Sequence, residues 1–89
     1  MTPVQQLTLM DKIIRELDDL KNSQTSVLKK IAQVEADNIN LGSELLNDAL
    51  PGIHEEVDDA VQKVTALIEQ FREYRNEFEK DHPAPEGSN

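Results

Sequence analysis

Two histidines and a scatter of carboxylates are the side chains whose spacing comes nearest to chemistry. His54 and Asp58 stand four residues apart, which places them on one face of a helix and makes them a possible start for a metal site. Such a site needs a third ligand and a shaped cavity, and the sequence supplies neither at a ligating interval. A surface histidine near a turn is the plainer reading. Asp37, Gly42 and Asp48 fall at the first, sixth and twelfth positions of a calcium loop, but Ile39 and Leu41 occupy positions that must donate oxygen. No phosphate-cradling glycine loop, nucleophile elbow or catalytic carboxylate pair is present. The expectation is a protein that is not an enzyme, with no metal site and no cofactor.

What does repeat is hydrophobicity, and it is regular enough to define the elements. Met10, Ile13, Leu17, Leu20, Gln24, Val27, Ile31, Val34, Asn38, Leu41 and Leu45 alternate intervals of three and four, the pattern of a coiled-coil seam. Gln24 and Asn38 are its two polar members. A polar residue at such a position fixes register or partner number at some cost in stability, and both are read as register-setting. Later in the chain Ile53, Val57, Ala60, Val64, Leu67, Phe71, Tyr74 and Phe78 repeat the pattern, with the aromatics Phe71, Tyr74 and Phe78 gathered at the end. Beside each seam runs a second apolar row: Leu7, Ile14 and Leu28 in the first half, Val61 and Ile68 in the second. A stripe this wide exceeds what one helix pair needs, so these five residues are the expected surface for docking another helix.

The fold expected is all-α: an antiparallel hairpin of two long amphipathic helices with coiled-coil-like packing, completing a bundle with another copy or a helical partner. Helix 1 should run over about residues 4–41, with Thr2 as cap and Pro3 at the first helical position, where its missing N–H costs nothing. Residues 22–26 (Asn-Ser-Gln-Thr-Ser) have poor helix propensity, yet the heptad phase is the same on both sides, so the helix should continue through them. The reversal belongs within residues 42–51. Gly42-Ser43 offers a left-handed cap followed by an N-cap, and Asp48 with Pro51 offers a second break, with a short helical piece possible between them. Helix 2 should cover about residues 52–80, and residues 81–89, rich in Pro and Gly, read as a disordered tail.

Composition narrows the function further. The 89 residues are 37% hydrophobic, 30% charged and 3% aromatic, too short and too poor in bulk to close a deep core alone. With no cysteine, disulfides and thiolate chemistry are excluded. The net charge of −9 is uneven: residues 1–41 carry five basic and six acidic residues, net −1, and residues 42–89 four and twelve, net −8. That balance opposes direct binding to nucleic acid or to an anionic membrane, and leaves room for a basic protein surface as partner. No apolar window approaches a membrane span and no signal peptide is evident, so the expected location is cytoplasmic, or outside the cell by a route without a classical signal peptide.

Length, the two-helix plan, the missing signal peptide, Pro51 near the start of helix 2 and the aromatic C-terminal end together resemble the small helical-hairpin proteins of type VII secretion, the Trp-X-Gly family and its relatives. Asn40-Leu41-Gly42 is the nearest counterpart of the Trp-X-Gly turn and keeps only its glycine. The family's Tyr-xxx-Asp/Glu signal is unmet: Phe78 stands four residues after Tyr74, and His82 four after Phe78. The resemblance implies a divergent hairpin protein of that system, or a partner escorting a toxin's helical targeting domain. Read from the residues alone, the function is a protein–protein interaction module that pairs with itself or with a helical partner. Two alternatives stand beside it: an acidic inhibitor or nucleic-acid mimic occluding a basic site, and a coiled-coil scaffold subunit.

Overall fold

A computed structural model describes residues 1–83. It is an antiparallel hairpin of two helices, α1 (Pro3–Leu41) and α2 (Glu44–Asp81), with no strand among the described residues. The Cα trace extends 66 × 17 × 17 Å, a rod one helix pair thick.

The start of α1 follows from its first residues. The Gln5 N–H donates to Thr2 Oγ1 at 3.2 Å while the Thr2 N–H donates to Gln5 Oε1 at 2.9 Å, a reciprocal cap that satisfies two otherwise orphaned donors. The weak stretch of residues 22–26 stays helical, as the unbroken phase requires. The Thr25 and Ser26 hydroxyls donate to the Lys21 and Asn22 carbonyls, at 2.9 and 3.1 Å, so their competing hydrogen bonds are absorbed within the helix.

The reversal takes two residues. Gly42 adopts φ 72°, ψ 32°, the left-handed conformation that glycine enters without penalty, and its N–H donates to the Asn38 carbonyl at 2.7 Å. Ser43 then caps α2 by accepting from the Leu46 N–H at 3.4 Å. The turn therefore sits at the first edge of the 42–51 window, and α2 begins at Glu44 rather than near residue 52. Asp48 is no cap, and Pro51 lies inside the helix.

The second break inferred from the phase is instead a local change of repeat. The half-buried residues Ser43, Leu46, Leu50, His54 and Val57 run at intervals of three, four, four and three. An eleven-residue repeat of this kind keeps the apolar side facing its partner without interrupting the chain. Pro51 removes one backbone donor, a cost of about 3 kcal/mol in a helix interior, which the packing of Leu46 and Leu50 must offset. Asp81 ends α2. Residues 84–89, most of the expected disordered tail, lie outside the described residues.

Candidate helix-docking surface

Four polar contacts fix how the two helices face each other. From the open end to the turn they are Arg75 with Asp11, Arg72 with Asp18, His54 with Glu35, and Asn38 with Asn47. In this antiparallel register Leu20 stands level with Leu67, and Val34 with Ile53.

Burial shows which rows fill the space between the helices. In α1 they are Leu7, Ile14, Lys21, Leu28 and Glu35 together with Met10, Leu17, Gln24, Ile31 and Asn38, all buried or half-buried. In α2 they are His54, Val61, Ile68 and Arg75 together with Val57, Val64, Phe71 and Phe78. The five residues expected to be free for docking thus lie within the hairpin's own seam. Ile68 is only 4% exposed, and Leu7, Ile14, Leu28 and Val61 are half-buried. Of the two rows expected inside on each helix, one stays in the seam and the other is turned outward. Leu20 is 46% exposed, Leu67 47% and Tyr74 59%, and Val27, Val34, Leu41, Leu45 and Ile53 are also exposed.

The exchange has a physical reason. Each helix carries three adjacent apolar rows, and periodicity cannot say which two meet the partner. The inward rows looked interrupted because they include Lys21, Glu35, His54 and Arg75. Across the seam three of those interruptions, Glu35, His54 and Arg75, find partners. His54 Nδ1 lies 2.8 Å from Glu35 Oε1. Arg75 donates Nε to Asp11 Oδ1 at 2.8 Å and Nη2 to Asp11 Oδ2 at 3.3 Å, a two-point bond of the kind guanidinium geometry favours. Arg75 also reaches Glu79 at 3.0 Å. The Asp11 hydrogen bonds raise the Arg75 pKa above its ordinary value against the opposing effect of burial, so the charge is firmly held.

The hairpin's two flanks consequently differ. One is ion-paired, with Arg72 on Asp18 at 2.9 Å beside the Arg75–Asp11 bond. The other is apolar and carries Ile13, Leu20, Val27 and Val34 from α1 level with Tyr74, Leu67, Ala60 and Ile53 from α2. Antiparallel helices share a flank between equivalent rows, so these two rows form one strip along the rod. Tyr74 stacks on Phe71 with ring centroids 5.9 Å apart, and together with Leu67 and Gln70 they line a shallow apolar depression at the open end of this strip. Phe71 and Phe78 themselves are half-buried in the seam, and Phe78 stacks on His82 at 4.3 Å.

The two polar seam residues have different surroundings. Asn38 is 4% exposed and fully engaged: its Oδ1 accepts from the Ser43 N–H at 2.9 Å, and its Nδ2 donates to Asn47 Oδ1 at 2.8 Å and to the Ser43 carbonyl at 3.3 Å. It binds the end of α1 to the start of α2. Gln24 lies near the middle of the rod, and its buried Oε1 has no hydrogen-bond partner among the described residues.

His54 points at Glu35 rather than joining Asp58 in a ligand pair, and no three acidic or histidine side chains converge as metal ligands among the described residues. Nor is any helix of the described residues long and apolar enough to cross a membrane. The carboxylates Glu55, Glu56, Asp58 and Asp59, with Gly52 and Gln62, border an open polar dent on α2. Compared with protein-family models, curated proteins and solved structures, the chain matches none of them.

Proposed function

We propose that this hairpin is a non-enzymatic protein–protein interaction module that works by helix packing, with the apolar flank as its docking surface. The observation that carries the reading is the asymmetry of the flanks. Water-facing sides of a helix pair are normally polar, and here one side is ion-paired while the other holds a strip of apolar side chains at heptad spacing. Burying that strip against another helix would remove it from water at about 25 cal/mol per Å². Within this class, a hairpin of type VII secretion, or the escort of a secreted toxin's helical domain, is supported by the resemblance in length and plan. Either role fits a cytoplasmic protein or one exported without a classical signal peptide.

The competing reading, an acidic mimic that occludes a basic site, draws on Glu55, Glu56, Asp58 and Asp59. One pull-down with the full chain separates the two. If packing carries the function, the variant Leu20→Asp/Leu67→Asp loses its partners and salt changes little, because each substitution puts a charge into a buried contact. Val61 and Ile68 are unsuitable for this test, since charging them would open the hairpin itself. If charge carries the function, Glu55→Gln/Glu56→Gln is the damaging variant. Partners then elute between about 0.1 and 0.5 M salt, where the screening length shortens markedly. That second pattern would displace the packing proposal.

A further inference from the structure

We infer that the occupant of the apolar flank is a second copy of this chain, docked with α1 of each copy against α2 of the other to form a four-helix bundle. The inference rests on the docking role proposed above and names the partner for it.

The first argument is extent. Ile13 to Leu41 spans about 42 Å along α1 and Ile53 to Tyr74 about 32 Å along α2. Across the width of a helix pair this makes a face on the order of 700 Å², close to the roughly 800 Å² per partner of a stable protein pair. A single helix could cover only the groove between the two rows. A face two rows wide is matched by another face two rows wide.

The second argument is level. Ile13 stands beside Tyr74, Leu20 beside Leu67 and Val34 beside Ile53. A two-fold axis running along the rod lays α1 of one copy over α2 of the other at the same level. Each layer then closes with four side chains and no charge, the phenol hydroxyls of the two Tyr74 being the only polar groups among them.

Charge selects this arrangement over its alternative. α1 carries five cations and six carboxylates, net −1, whereas α2 carries four and eleven, net −7. All four α2 cations (Lys63, Arg72, Arg75 and Lys80) are already in ion pairs. None of the five on α1 is in one among the described residues. Laying α1 against α2 sets the nearly neutral helix of one copy beside the acidic helix of the other and holds the two acidic helices on opposite corners. Turning one copy end for end, so that α2 lies on α2, would stack net −7 on net −7. The summed charge of the pair is still negative, so added salt does not loosen the dimer.

The test is sedimentation equilibrium on the full chain over a wide concentration range, with helicity followed by circular dichroism. The expected result is a dimer whose dissociation constant rises about a hundredfold or more for Leu20→Asp/Leu67→Asp. The same charges placed on the outer faces, in Ser26→Asp/Ala66→Asp, should leave it unchanged. Because the chain has no cysteine, Leu20→Cys mixed with Leu67→Cys reports the arrangement on oxidation, and the mixed cross-link should dominate over either self-cross-link. A dimer indifferent to Leu20→Asp/Leu67→Asp, or one cross-linking only like to like, overturns the inference. A monomer that binds a hydrophobic dye through Leu20 and Leu67 overturns self-pairing and leaves the docking reading standing. A monomer that binds none overturns both.

Discussion

Replacing Asn38 by alanine should cost this hairpin about 2–3 kcal/mol. The side chain makes three hydrogen bonds in a site only 4% exposed: from the Ser43 N–H, to Asn47 Oδ1, and a longer one of 3.3 Å to the Ser43 carbonyl. A net contribution of about 1 kcal/mol each gives the upper figure, and discounting the long bond gives the lower. The loss is large against the roughly 4–13 kcal/mol available to a chain of this size. Urea unfolding at one fixed protein concentration measures it, with the slope serving as a check that the unfolded state is unchanged. Asn47→Ala removes only the shortest of the three bonds and should cost about 1 kcal/mol. The double-mutant cycle between the two should then return a coupling of about 0.5–1.5 kcal/mol. A loss below about 0.5 kcal/mol for Asn38→Ala, or a coupling of zero, would refute the claim that this side chain fastens the turn.

Three further substitutions probe the backbone and the mid-rod seam. Gln24→Leu should stabilise the hairpin by about 1 kcal/mol, because it removes a buried carbonyl oxygen that has no partner; a lower melting temperature would contradict this. Gly52 sits inside α2 with nothing within 4 Å of where a Cβ would stand, so Gly52→Ala should stabilise by about 0.5–1 kcal/mol. Gly42 also has open space but holds φ +72°, so Gly42→Ala should destabilise by about 1 kcal/mol. The opposite signs are what thermal melts must show.

Much of the fold was legible because its signals are local. Thr2 and Pro3 announce the start of α1, Gly42-Ser43 holds both caps of the turn, and the phase across residues 22–26 keeps α1 whole against its propensity. The continuity of α2 through residue 51 was not legible. Pro51 and the shifted phase read as a break, whereas an eleven-residue repeat carries the same apolar side past the proline. The outward-facing apolar row was misread by one position for a related reason. Choosing between adjacent apolar rows depends on contacts between residues far apart in sequence, such as Glu35 with His54 and Asp11 with Arg75. A polar residue counts against a row only until its partner on the other helix is known. Tyr74 was the one available hint, since a phenol prefers an edge where its hydroxyl meets water.

The rod is 17 Å across, so each layer touches only the layers above and below it. Such a molecule behaves like a zipper with two unlike ends. At the turn, separation of the helices is held by Asn38 and by the short closure of Gly42-Ser43; at the open end it is resisted by Arg75 on Asp11. Opening should therefore begin at the free termini and travel inward, and amide exchange should slow steadily from there toward residues 38–47. Damage in one layer stays near that layer, so substitutions placed several turns apart should add almost independently.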